Sequence, residues 1–145
     1  MAQQKFGTDR YLPEGEWVAA VEEAAVAGTK FRKNQVNEFA KAVKSAEDKG
    51  LEYGLELEAE PDNRADPNAI KVIGFAETAG WFGRVNFQEW HVGYLDKALA
   101  KKLHKNKLAK DVELIAELHH LAVEGDRVSI ELAVLEPEEP EPTKQ

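Results

Sequence analysis

The stretch YGLELEAEPDNRADPNAIKVIGF, residues 53–75, decides the fold. Tyr53, Leu55, Leu57 and Ala59 alternate with Gly54, Glu56, Glu58 and Glu60, the period of two that gives a strand one buried and one wet face. Pro61 stops that strand. Residues 61–68 hold two prolines, two asparagines and two aspartates, which is turn chemistry. Residues 69–75 are apolar apart from Lys71 and read as the returning strand.

Upstream, Val36, Phe39, Ala40 and Val43 follow the i, i+3, i+4, i+7 spacing of a one-sided helix. A helix is expected over residues 35–49, with Asn34 as its cap and Gly50 ending it. Before it, Trp17-Val18-Ala19-Ala20-Val21 has strand composition, and the apolar run resumes at residues 24–27 before Gly28. Alanine and glutamate would also suit a helix over residues 16–27; the strand is preferred. Downstream, residues 81–95 mix aromatics with Gly83 and Gly93 and fit one or two strands. Asp96 is placed to cap a helix carrying Ala98, Leu99, Lys102 and Leu103. Residues 112–123 and 128–134 alternate around Glu124-Gly125-Asp126, the pattern of a hairpin. Short strands, two helices and a final hairpin predict an α+β domain whose antiparallel sheet curls into a small barrel.

At 145 residues the chain suits one domain, expected over residues 16–136 between a flexible lead-in (1–15) and a disordered acidic Pro/Glu tail (137–145). There is no cysteine, which excludes disulfides, thiolate metal sites and a cysteine nucleophile. Residues 1–10 lack the apolar core of a secretory signal, and no run approaches about 18 apolar residues. A soluble, cytoplasmic protein with no membrane partner is expected. The formal charge of -8 argues against polyanion binding, but it is unevenly spread. Residues 97–110 carry six lysines and no acid, whereas the acids crowd the C-terminal tail. Local charge is therefore the relevant quantity.

One set of motifs is specific. Val26-Ala27-Gly28 is followed by Lys30, Phe31 and Arg32; then come Glu60-Pro61, Asn63-Arg64-Ala65-Asp66-Pro67-Asn68-Ala69-Ile70-Lys71-Val72, and Val92-Gly93-Tyr94-Leu95 before a helix. In this order the chain resembles the HIRAN domain family over roughly residues 26–103. The resemblance implies a barrel related to the OB-fold and a module that binds the 3′ end of single-stranded DNA, as in DNA repair or replication-fork processing. It implies that Asp66 receives the terminal hydroxyl, with Asn63 beside it. It also implies that Phe31 and Tyr94 face bases while Lys30 and Lys97 take phosphates. Arg32 stands where the family has a second aromatic, and Ala65 where an aromatic usually precedes the aspartate. Each base–aromatic stack lost removes about 1–3 kcal/mol.

The residues support a similar reading without the family. A carboxylate near a phosphate path repels unless it accepts a hydroxyl, a bond worth about 1.5–3 kcal/mol when charge-assisted. Lys97, Lys101 and Lys105 share one helical face and could neutralise a backbone there. The full candidate set is Lys30, Phe31, Arg32, Asn63, Asp66, Tyr94, Lys97 and Lys101.

Each of these has a plainer explanation: Asp66 as turn chemistry, the lysines as a solvated face, and Phe31 as core. Trp81, Phe82, Phe87 and Trp90 fit core or partner contact better than base stacking. His119 and His120 are adjacent and would point to opposite faces of a strand, so no metal is expected. No nucleophile–base pair and no glycine-rich phosphate loop occurs, so neither cofactor nor catalysis is expected. The alternative function is a protein-interaction adaptor that kept the scaffold and lost DNA, with the acidic tail as an internal mimic.

Overall fold

In a computed structural model, which describes residues 4–5 and 15–138, seven strands and two α-helices are arranged around one apolar core. They run β1 (Gln4–Lys5), β2 (Trp17–Ala25), α1 (Lys33–Lys49), β3 (Tyr53–Ala59), β4 (Ile70–Ala79), β5 (Val85–Tyr94), α2 (Lys97–Asn106), β6 (Ile115–Glu124) and β7 (Arg127–Pro137). They form two antiparallel sheets, β1-β6-β7-β2 and β3-β4-β5. The protein is therefore α+β with two helices, as its sequence predicts.

The barrel expectation is corrected. The two sheets join by a ladder contact at one corner, where Ala27 pairs with Tyr94. On the opposite side β3 packs on β6 without a ladder between them. Helix α1 packs against strands of both sheets. Its buried stripe is Val36, Phe39, Val43 and Ala46. Phe39 lies over Gly74, where a Cβ would come within 2.7 Å of the ring, and against Trp90 at 5.9 Å between ring centres. Gly74 therefore fixes the parity of β4. Ile70, Val72 and Ala76 share its inward face, while Lys71, Ile73, Phe75 and Glu77 point out.

Residues 16–27 take the strand reading over the helical one. β3 has the expected bounds, and the Gly125-Asp126 turn closes the β6–β7 hairpin with Gly125 in the left-handed region at φ 60°. Gly50, at φ 68°, ends α1 and donates to Ala46 and Glu47. Asn34 is not the cap. The helix starts at Lys33, straight out of a single turn over Thr29–Phe31, which leaves Asn34 inside its first turn. β4 extends to Ala79 and pairs with one long strand, β5, through a tip at Trp81–Gly83. β6 starts at Ile115, later than expected, because a second single turn, Leu108–Lys110, and Asp111 in the left-handed region come first.

At the ends, Gln4–Lys5 of the stretch read as a lead-in pair with Leu121 and His120. β7 runs through Pro137, opposite Trp17, and Glu138 N donates to Glu16 O, so the strand takes in the first residue assigned to the tail. The rest of the lead-in and tail lies outside the described residues. Among the described residues no helix is long and apolar enough to cross a membrane.

Candidate nucleic-acid interface

The motifs at residues 26–28 and 92–95, far apart in the chain, are the two halves of the joint between the sheets. Ala27 and Tyr94 exchange main-chain hydrogen bonds of 2.7 and 2.9 Å. Gly28, at φ 79°, then turns the chain into Thr29–Phe31, so that Lys30, Phe31 and Arg32 emerge beside Tyr94. Phe31 is 81 % exposed, with Lys30 Nζ 5.1 Å from its ring centre. The core alternative for Phe31 does not hold.

The turn at residues 61–68 is built by its own side chains. Asn63 Oδ1 accepts from Ala65 N and Asp66 N, both at 3.0 Å, and Asp66 Oδ1 accepts from Asn68 N at 3.0 Å. Asp66 is half-buried. Turn chemistry thus occupies one carboxylate oxygen; Oδ2 has no hydrogen-bond partner among the described residues.

Glu60 ties this turn to the joint. Its carboxylate receives Asn63 Nδ2 at 3.1 Å, the Tyr94 hydroxyl, and Lys71 Nζ at 3.3 Å. Burial pushes the Glu60 pKa up, but these donors and the Lys71 charge outweigh it and leave the group below its ordinary value. Tyr94 is raised, first by burial and then by its bond to Glu60. His91 packs edge-on to Tyr94 at 4.8 Å between ring centres, with Nε2 2.9 Å from Gly93 O. Burial, then the Arg32 charge, lowers the His91 pKa, so the ring is neutral at physiological pH.

A hydrogen-bonded chain therefore runs from Tyr94 through Glu60 and Asn63 to the main chain of Asp66, and the Arg32 charge acts on Tyr94 and His91 at its near end. Lys101 is reached from the other side of the turn, where it shares a groove of ≈ 600 Å³ with Pro61, Asn68, His104, Lys105 and Leu108. Lys97 is exposed at the first position of α2, which Asp96 caps as expected through Ala98 N and Leu99 N. Lys97 makes no hydrogen bond or ion pair with the other candidates among the described residues. Of the six lysines at residues 97–110, Lys107 is paired, with Glu136 at 2.7 Å.

Sequence reading gives Glu60 and Lys71 a place in the motif set but no role, and does not reach His91. The one signal was Lys71, a cation interrupting an apolar strand, which is what an outward-facing position beside a carboxylate produces. Among the described residues no group of three His, Cys, Asp or Glu side chains is placed to hold a metal. Comparison of the chain with protein-family models, with curated proteins and with solved structures gives no match in any of the three.

Proposed function

We propose that this protein is a non-catalytic, HIRAN-like module that holds the 3′ end of single-stranded DNA, with Asp66 as the acceptor of the terminal hydroxyl. The observation that carries this reading is the hydrogen-bonded chain from Tyr94 through Glu60 and Asn63 to Asp66, beside the turn that carries Lys30, Phe31 and Arg32. It aligns an exposed aromatic ring, two cations without ion pairs among the described residues (Lys30 and Arg32) and a carboxylate with one unused oxygen. Phe31 offers a stacking surface, Lys30 and Arg32 neutralise phosphate, and Asp66 Oδ2 distinguishes a hydroxyl from a phosphate by accepting one and repelling the other. Glu60 does not spoil the path, because Lys71 compensates its charge and Asn63 donates a hydrogen bond to its other oxygen. Lys97 and Lys101, on the first turns of α2, supply further cations to a strand that passes over the turn at residues 61–68. With a formal charge of -8 overall, binding is weak and falls steeply with salt. Such a module serves DNA repair or fork processing in the cytoplasm and needs no cofactor.

The test is a fluorescence titration of 3′-hydroxyl against 3′-phosphate oligonucleotides at low salt. Tighter binding of the hydroxyl form is expected, with the preference abolished in Asp66→Ala, while Lys97→Ala weakens both forms alike. Equal affinity for both forms ends the role given to Asp66. No binding to either favours the second reading, a protein-interaction adaptor, for which the exposed Trp81 and Phe82 speak.

A further inference from the structure

Among the described residues, four of the six exposed large apolar side chains lie in one place, the outer half of the β4–β5 hairpin. Trp81 is 87 % exposed, Phe82 100 %, Val85 51 % and Phe87 55 %. Phe82 is held at φ 57°, the left-handed region that a bulky residue enters only under strain. The fold thus spends strain to present an aromatic side chain to solvent. Apolar clusters of this kind on a soluble surface mark association sites.

The strand beneath has an open edge. β5 pairs with β4 on one side, and among the described residues its other side is met only at Tyr94, by Ala27. Arg84 O points to β4, since it accepts from Gly80 N at 2.7 Å. By the alternation of an antiparallel strand, the main-chain groups of Val85, Phe87 and Glu89 point to the open edge.

We infer that this edge pairs with the same edge of a second copy, forming a two-fold dimer with one continuous six-stranded sheet. This is independent of the DNA reading. The edge is self-complementary when Asn86 lies opposite its own counterpart. Val85 then exchanges main-chain hydrogen bonds with the partner's Phe87, and Phe87 with the partner's Val85, so apolar meets apolar on both sides of the axis. The Phe75–Phe87 ring stack, 5.5 Å between centres, continues into the second sheet. Arg84 falls opposite the partner's Gln88, on the face where α1 presents Glu38, giving the one cation of the hairpin tip an acid to meet. The same register carries Trp81 and Phe82 to the level of the partner's Trp90. There α1 and β5 leave a groove of ≈ 670 Å³ lined by Glu38, Lys41, Ala42 and Trp90. The convex tip and the concave groove thus come from one chain and meet only across the two-fold axis.

Sedimentation velocity of the full chain over a wide concentration range tests this. The expected result is a species of about twice 16.2 kDa that dissociates on dilution. Val85→Pro removes an edge donor without touching the β4 ladder, and Arg84 already has the extended φ -70°, ψ 144° that a following proline requires. This variant is expected to be monomeric with an unchanged circular dichroism spectrum. Should it fail to fold, Phe82→Ser decides instead, because a fully exposed side chain is not needed for folding; its dimer is expected to be weaker by about tenfold. A wild-type chain that stays at 16.2 kDa throughout overturns the proposal, as does a dimer that the deciding variant leaves intact.

Discussion

Ala27 and Tyr94 hold the two sheets together through a reciprocal pair of main-chain hydrogen bonds, and Gly93 is what lets them approach. A Cβ on residue 93 would run into the Ala27 carbonyl oxygen and, at 2.6 Å, into Val26 Cγ1. Backbone cannot step aside as a flexible side chain can. Gly93→Ala is therefore expected to lower stability by about 1–3 kcal/mol, the range of an overpacked core site, and to loosen Tyr94. Urea denaturation measures this, and a loss below about 0.5 kcal/mol would show that the joint is not under such constraint.

Phe31 gives the opposite case, a large apolar residue whose removal costs the fold little. Because the ring is 81 % exposed, Phe31→Ala is expected to change stability by less than about 0.5 kcal/mol. Its effect is expected in oligonucleotide affinity, weakened by about 1–3 kcal/mol if the ring stacks on a base. Anisotropy titration reads this directly. Unchanged affinity removes Phe31 from the interface.

Two groups around Tyr94 make stability depend on pH in separate windows. His91 has a folded pKa below its ordinary 6.5, through burial first and the Arg32 charge next. The unfolded chain binds that proton more readily, so stability is complete above 6.5 and falls as pH drops below it. Glu60 lies below its ordinary 4.5 because Asn63, Tyr94 and Lys71 outweigh the effect of burial, so its contribution is present above 4.5 and lost as pH falls further. In thermal melts over a pH series, His91→Gln is expected to flatten the upper window and Glu60→Gln the lower. A His91→Gln curve parallel to wild type between about pH 7 and 5 would refute the assignment.

On the outward face of β3-β4-β5, Glu56 sits opposite Ile73 and Glu89 opposite Phe75, close enough to repel across the central strand. The Glu56 pKa is raised, first by burial, then by Glu89 and Glu58. Such a group loses stability as pH rises through its titration. Glu56 is exposed, so solvent screens the repulsion, and Glu56→Gln is expected to stabilise the protein at neutral pH by only a few tenths of a kcal/mol, roughly 0.2–0.5, with the gain vanishing in acid. Melting temperatures at two pH values suffice, and a lower neutral-pH value for the variant contradicts the repulsion.

By itself the sequence determined the elements whose signals are local. The alternation of residues 53–59, the stripe of α1, the Gly125-Asp126 turn, the Gly50 stop and the Asp96 cap each depend on neighbours a few residues away. The turn at residues 61–68 was legible for the same reason, since Asn63 and Asp66 bond to their own backbone. Tertiary structure decided what depends on distant partners. Residues 26–28 meet residues 92–95 because two sheets converge there, and Glu60 becomes a hub because that corner delivers Tyr94 and Lys71 to it. The sheets do not close into a barrel because β3 packs on β6 without pairing its main chain to it, a relation between strands far apart in the chain. The exposure of Trp81 and Phe82 was also beyond local reading: composition favours burying such residues, and only the length of the β4–β5 hairpin carries them past the core.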